Sequence, residues 1–418
     1  MHPRERLLGT LEERHILRDL AVRNALASVD LESFLPPELR PLAYANAPIP
    51  FDVASCGVLL PSPPVLAALL QLLELTPALC VGIVGAAGGY AAALVAHAVP
   101  NGRVSVAEAD PGLREATREH LRTQGLADRV GVADDLEGGP FDRVLVLDPG
   151  QRPARDVGPR LSDLGFAVSL ARSPDGPEFR KRIRSGGEDL ELSVTEMPAG
   201  SGADPQAAGL WARILLRDEL ASHAWQGRTV GHHDAHFREA VEETFAGGPL
   251  DPGRHALSPV QWAARGAFHV AYILQSLGDL EDAADLYERS LRLFPTAEGH
   301  TFLGWVHSFE GDVDRAIAEC RRAIAVDPTF GNPYNDIGAY LIDLQRPDEA
   351  VPWLQKALEA ERYCCYFYAH TNLGRAYLLT GREQLARRHF EEALKVNPAY
   401  EPAKEMLKRV DRGTAYFA

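Results

Sequence analysis

The sequence predicts an α/β doubly wound domain followed by an all-α helical solenoid. Two observations carry this. From about Leu72 to Val146, short apolar runs alternate with amphipathic stretches, the pattern of strands and helices in a mostly parallel sheet. From about Pro259 to Tyr400, helix pairs recur at a period of about 34 residues. The 418 residues suffice for more than one domain, and 46% apolar with 24% charged residues is an ordinary globular balance.

In the first region, ALCVGIVG reads as a buried strand ending at glycines, and YAAALVAHAV as the helix after it. RVSVAEAD is a strand ending in an acid, PGLREATREHLRTQG an amphipathic helix, and DRVGVADD and FDRVLVLDP are further strands. Helices are expected on both sheet faces. Ligands of such sheets bind beyond the C-terminal strand ends. Three pieces fall there. The turn Gly85-Ala86-Ala87-Gly88-Gly89 allows close backbone approach. Glu108 is placed to receive ribose hydroxyls, and Asp134 or Asp135 stands near an adenine edge. The arrangement suits a dinucleotide or S-adenosylmethionine equally, or an α/β domain that keeps these turns for folding alone.

In the second region the turn glycines are Gly278, Gly311 and Gly381, with Arg346-Pro347 in the third turn. The second helices carry Ala283, Ala316, Ala350 and Ala386, and Pro295, Pro328 and Pro398 close the units. Small residues let paired helices approach, and stacking completes a core that one pair cannot bury alone. Trp305 and Phe309 are expected on one apolar face, and EPAKEMLKRVDR as a terminal capping helix. This pattern resembles the tetratricopeptide repeat. A concave face is expected to hold a protein, a peptide or the chain's own N-terminal domain. Asn332, Asn335, Asp336, Tyr340, Asn372 and Arg375 are its candidate contacts, with Tyr334 beside them. The bland alternative is packing for Tyr340 and an inter-repeat hydrogen bond for Asn335. Cys364-Cys365, beside Tyr363, Tyr366 and Phe367, reads as packing.

Between the two, SPDGPEFRKRIRSGGED reads as a polar loop or edge insertion, with Arg180, Lys181, Arg182 and Arg184 as a local basic cluster. DLELSVTEM reads as a late strand, MPAGSGADPQAAG as a linker, and LWARILLRDELASHAW and HFREAVEETFAGG as helices of a bridge. The expected boundaries are 1–197 for the α/β domain, 198–258 for linker and bridge, and 259–418 for the repeats. His232, His233, Asp234 and His236 raise a metal hypothesis, but Gly231 and Asp234 mark a helix start with Asp234 as its cap, and no second ligand cluster exists. No metal is expected.

The net charge of -15 argues against general nucleic-acid binding and disfavours anionic membranes. Cys56, Cys80, Cys320, Cys364 and Cys365 have no metal or disulfide spacing, and no secretory signal is evident; a cytoplasmic location is expected.

The stretch from about Val22 to Arg172 resembles the protein-L-isoaspartate O-methyltransferases. ESFLPPELRPLAYANAPIPF carries a Phe-x-Pro piece, an Ala-Tyr pair and a Pro-x-Pro strand in the family's order. SPPVLAALLQLLEL, GAAGGYAAALVA with Tyr90, VSVAEAD, DRVGVADD and GGPFDRVLV follow. The resemblance implies S-adenosylmethionine facing Gly85, Gly89, Glu108 and Asp134, and methylation of isoaspartyl carboxylates. Three departures oppose this. Ile83 stands where the family has an acid before the turn, and Ala87 where it has the central glycine. FDVASCGVLLPSPP, longer than the family's Gln-Thr-Ile-Ser segment, replaces it, with the family serine falling near Pro61; Ser55, Cys56 and Ser62 are the weak substitutes. Cys56 lacks a Cys-His motif, and His97 and His120 serve it only if the fold brings them close. The sequence thus predicts an interaction scaffold or regulator with a catalytically degenerate domain; the alternative is an active protein carboxyl methyltransferase whose repeats select the substrate.

Overall fold

The computed structural model describes residues 2–51, 59–148, 157–174, 176–194, 205–225, 244–245 and 257–412. The chain divides into two compact units, Met1–His232 and His233–Ala418.

The first unit opens with helices α1 (Pro3–Glu13) and α2 (Leu20–Ser28). A small hairpin follows, β1 (Ile49–Pro50) paired antiparallel with β2 (Leu59–Leu60), and then α3 (Pro63–Leu72). The main sheet comprises β3 (Cys80–Val84), β4 (Arg103–Ala107), β5 (Val130–Ala133), β6 (Phe141–Val146), β7 (Leu161–Ser173), β8 (Gly176–Ser185) and β9 (Glu188–Ser193). Its order is β5-β4-β3-β6-β7-β8-β9, parallel through β7 and antiparallel in the last two pairings. The strand order reverses between β3 and β6, which is where α/β sheets bind ligands.

Helix α4 (Tyr90–Ala98) joins β3 to β4, and α5 (Pro111–Thr123) joins β4 to β5. Both crossovers move in one direction across the sheet, so right-handed connections place both helices on one face. Asp110 starts α5 by accepting the Leu113 N–H at 2.8 Å, with Pro111 preset for the first turn. On the other face a core of Val84, Ala107, Leu136, Phe141, Val144, Val146, Val157, Leu161 and Ala167 contains no residue of these helices. Among the described residues, loop residues such as Leu136 and Val157 contribute to this second core.

Of the two expectations for the segment after Ser173, a polar loop or an edge insertion, the structure corrects the first: the segment is strand β8, next to the edge strand β9. Phe179 and Lys181 point to one side, where Phe179 is buried and the Lys181 ammonium lies 3.6 Å from the Phe166 ring centre. Arg180, Arg182 and Arg184 alternate to the other side and meet Glu191 and Asp189 of β9. The basic residues thus pair across a hairpin instead of marking a loop. Helix α6 (Pro205–Trp225) lies in the first unit, with Trp211 edge-on to Phe179 at 5.6 Å.

The second unit stacks α7 (Pro259–Ser276), α8 (Leu280–Leu293), α9 (Ala297–Phe309), α10 (Val313–Val326), α11 (Asn332–Asp343), α12 (Pro347–Glu359), α13 (Tyr366–Leu379), α14 (Glu383–Val396) and α15 (Glu401–Asp411). Gly278, Gly311 and Gly381 hold φ of 80°, 84° and 73°, the left-handed region that favours glycine. In the third turn Gln345 takes that role at φ 59°, just before Arg346-Pro347. Gly338 and Gly374 let helices touch: a Cβ there would lie 2.4 Å from Leu354 and Phe390 respectively. Phe309 does not join Trp305 in the core; it is 64% exposed, whereas Trp305 packs on Phe302 at 4.5 Å.

Candidate functional site

The glycine turn leaves the C-terminal end of β3 at the switch point. Gly85 has φ 89°, and a Cβ on it would lie 2.9 Å from the Asp148 backbone nitrogen at the end of β6. Gly89, at φ 92°, is the residue before α4. Ala87 holds φ 41°, a left-handed conformation in which its methyl group costs about 1–2 kcal/mol relative to glycine. Gly88 faces the Phe51 ring, with an ideal Cβ only 2.3 Å from Cδ1. Ile83 is fully buried in the sheet. Its side chain offers no charge to an ammonium group.

Glu108 follows β4 and is 1% exposed. Its Oε2 accepts the Ala86 N–H at 2.8 Å and its Oε1 the Asp110 N–H at 3.0 Å. A buried carboxylate held by backbone amides is well satisfied. It fixes the turn while standing at the strand end where a ribose would lie. Asp134 is exposed beyond β5, whereas Asp135 pairs with Arg160 and accepts the Leu136 N–H at 2.7 Å. Gly85, Gly89 and Glu108 are thus brought together, and Asp134 keeps an exposed carboxylate nearby at the next strand end. The set fits the nucleoside end of S-adenosylmethionine. At Ile83 it does not fit the amino-acid end.

Of the substitutes for the family serine, Ser55 and Cys56 lie outside the described residues. So do His232, His233, Asp234 and His236. Ser62 is 4% exposed and precedes α3; its N–H donates to Asp218 Oδ1 at 3.0 Å. Burial pushes the Asp218 carboxyl up to about 6, against the lowering pull of the Ser62 hydrogen bonds. Asp218 was not foreseeable from the local sequence, because its partner lies 156 residues away. His97 and His120 are held by backbone carbonyls, those of Ala93 and Gly88. Among the described residues no group of three or more His, Cys, Asp or Glu is placed to hold a metal ion.

In the array, four of the six candidate contacts form one chain of hydrogen bonds. Trp305 Nε1 donates to Asp336 Oδ2 at 2.6 Å, and Asn335 Nδ2 to Asp336 Oδ1 at 3.3 Å. Asn372 Nδ2 donates to Asn335 Oδ1 at 3.0 Å, and Arg375 reaches Asn372 Oδ1 at 3.1 Å and Asp343 at 2.8 Å. The network crosses α9, α11 and α13 and fixes one repeat on the next. Burial raises the Asp336 carboxyl to about 6, although Trp305 and Asn335 donate to it. Tyr340 packs on the repeat core, and Asn332 opens α11, half-buried. Trp305, expected only to pack on an apolar face, joins this set as a donor, and Asp343 joins it without having been singled out; their place on successive first helices was the available signal. Cys364 and Cys365 bring their sulfurs within 3.3 Å just before α13. No helix among the described residues is long and apolar enough to cross a membrane.

Comparison with known proteins agrees with both halves. Residues 2–147 match the family model of protein-L-isoaspartate(D-aspartate) O-methyltransferase. Residues 271–329 and 330–399 match tetratricopeptide repeat models. The protein-L-isoaspartate O-methyltransferase of Methylorubrum populi is 33% identical over 192 residues, which are 45% of this chain and 88% of that protein. That of Methanopyrus kandleri is 34% identical over 205 residues, covering 44% and 88%. Among solved structures, a Plasmodium falciparum chain described as a protein-L-isoaspartate O-methyltransferase in complex with S-adenosyl-L-homocysteine aligns at 19% identity and TM-score 0.38, covering 45% and 92%. YrrB, a tetratricopeptide protein with an unusual peptide-binding site, aligns at 18% and 0.31, covering 36% and 80%.

Proposed function

The chain belongs to the protein-L-isoaspartate O-methyltransferase family through its N-terminal unit, and from that premise we propose that it is an interaction scaffold or regulator whose methyltransferase-type domain keeps a nucleoside site but does not methylate isoaspartyl carboxylates. The observation that carries this is Ile83. It is wholly buried where the family has the acid that helps hold the cofactor's charged amino-acid end. Methyl transfer to a carboxylate depends mainly on aligning donor and acceptor. Losing the anchor at one end of the donor removes that alignment, and Ala87 adds strain in the same turn. The nucleoside end retains Gly85, Gly89, Glu108 and Asp134. The array supplies the second activity, capture of a protein segment by the face where Asn332 and Arg375 lie, with Asn335, Asp336, Asn372 and Tyr340 holding that face in shape.

A second function is favoured by the intact left-handed glycines Gly85 and Gly89 and by Glu108: an S-adenosylmethionine-dependent protein carboxyl methyltransferase whose repeats select the substrate. Calorimetric titration with S-adenosylmethionine and S-adenosylhomocysteine, followed by methyl transfer to an isoaspartyl peptide, separates the two. Binding without turnover is the expected result. Turnover would overturn the scaffold proposal in favour of the enzyme.

A further inference from the structure

Both legs of the β1–β2 hairpin are fastened to α6. Before β1, the Arg217 guanidinium donates to the Asn46 carbonyl, and Trp225 Nε1 donates to the Pro48 carbonyl at 3.0 Å. After β2, the Ser62 N–H donates to Asp218 Oδ1 at 3.0 Å. Arg217, Asp218, Trp225 and Ser62 are all buried. The helix therefore grips the chain on both sides of residues 51–60. Phe51, at the end of β1, presses its ring on Gly88 of the glycine turn.

Packing alone does not account for this choice of residues. A buried carboxyl costs more than an apolar side chain of similar size unless its hydrogen bonds matter. Asp218 accepts a backbone N–H at the start of α3, where the helix dipole favours a negative group. Trp225 and Arg217 likewise reach backbone carbonyls, which hold the chain in register whatever its side chains are.

We infer that α6 is the element that sets the hairpin against the glycine turn, and that Arg217, Asp218 and Trp225 are positioning residues for the nucleoside ligand without touching it. The inference rests on the nucleoside site proposed above and adds its means of control. When α6 is fastened, Phe51 and the two legs form a fixed wall beside Gly88. When it is loosened, the wall shifts and the turn loses its shape.

The test uses the full chain, with S-adenosylhomocysteine as the probe. Asp218→Ala and Trp225→Phe are measured by calorimetry and by hydrogen exchange, with Asp218→Asn as the conservative variant that keeps one oxygen acceptor. The expected result is an affinity about tenfold weaker in the first two, with Asp218→Asn close to the parent. Faster exchange should appear in residues 46–62 and 85–90, while β4 and β5 keep their protection. Unchanged affinity with unchanged exchange in 46–62 would overturn the inference. Faster exchange spread through the whole sheet would also overturn it, since α6 would then be a general stabiliser. If the parent protein binds no S-adenosylhomocysteine, the nucleoside proposal fails by itself. The exchange pattern in 46–62 then decides whether α6 positions the hairpin.

Discussion

The two units are held together over different distances along the chain. In the array, each helix packs on the next, and the bonds between repeats span fewer residues: Asn372 reaches Asn335 across 37 and Arg362 reaches Glu298 across 64. In the α/β unit, Glu108 fixes the glycine turn across 22 residues, but other bonds join Trp225 to Pro48 and Asp218 to Ser62, across 177 and 156 residues. A solenoid is close to a sum of repeat and interface energies. A doubly wound sheet works only when distant pieces meet. Damage should therefore stay local in the array and spread in the α/β unit.

The largest effect expected is from Phe390→Ala. Phe390 is fully buried against Gly374, and its removal should destabilise the array by about 3–5 kcal/mol. Protease mapping with thermal melts should show the last repeats opening first and the α/β unit melting as before; simultaneous loss of both units would break the comparison. Gly374→Ala approaches the same contact from the other side, placing a methyl group 2.4 Å from the Phe390 ring. Overpacking of this kind costs about 1–3 kcal/mol, read from the denaturation midpoint of the array.

The units share one chemical weakness. Each buries a carboxyl raised to about 6 from an ordinary 3.8, Asp218 in the first and Asp336 in the second. A raised folded value means that the folded state holds the proton more tightly. The stabilisation is complete below about 4, falls as the pH rises from about 4 to about 6, and is gone above that. Asp218→Asn should flatten the pH dependence of the first melting transition in that window, and Asp336→Asn that of the second. A crossed effect would show that the two are not independent. The smallest effect is expected from Arg375→Ala. Its pair with Asp343 is partly exposed, so stability should change by less than about 1 kcal/mol. Capture of a protein segment by the array should nevertheless weaken measurably in a pull-down from the same variant.

This difference in range also explains what the sequence made legible. The repeats stood out because glycine, alanine and proline recur within one or two units, and the third turn was misread only in which residue bends it, Gln345 before Arg346-Pro347. Strands β3 to β6, the glycine turn and Glu108 were legible for the same reason: strand, turn and acid follow one another within a short segment. The segment after Ser173 was not. Arg180, Arg182 and Arg184 read only as a local basic cluster, because their partners Glu191 and Asp189 count only once the hairpin is paired. The alternation of Phe179, Lys181 and Ile183 was the signal passed over. Helix α6 was legible as a helix, but nothing near it pointed to Asn46, Pro48 or Ser62.

The grip of α6 on the hairpin has a consequence for how the molecule is made. A chain emerging from the ribosome displays residues 46–62 and most of the sheet long before Asp218 exists. The 156 residues between Ser62 and Asp218 take on the order of 10–30 s to synthesise. During that interval the hairpin lacks its α6 anchors and rests on local contacts such as that of Phe51 with Gly88. Each later repeat, in contrast, can dock on its predecessor as soon as it clears the exit tunnel.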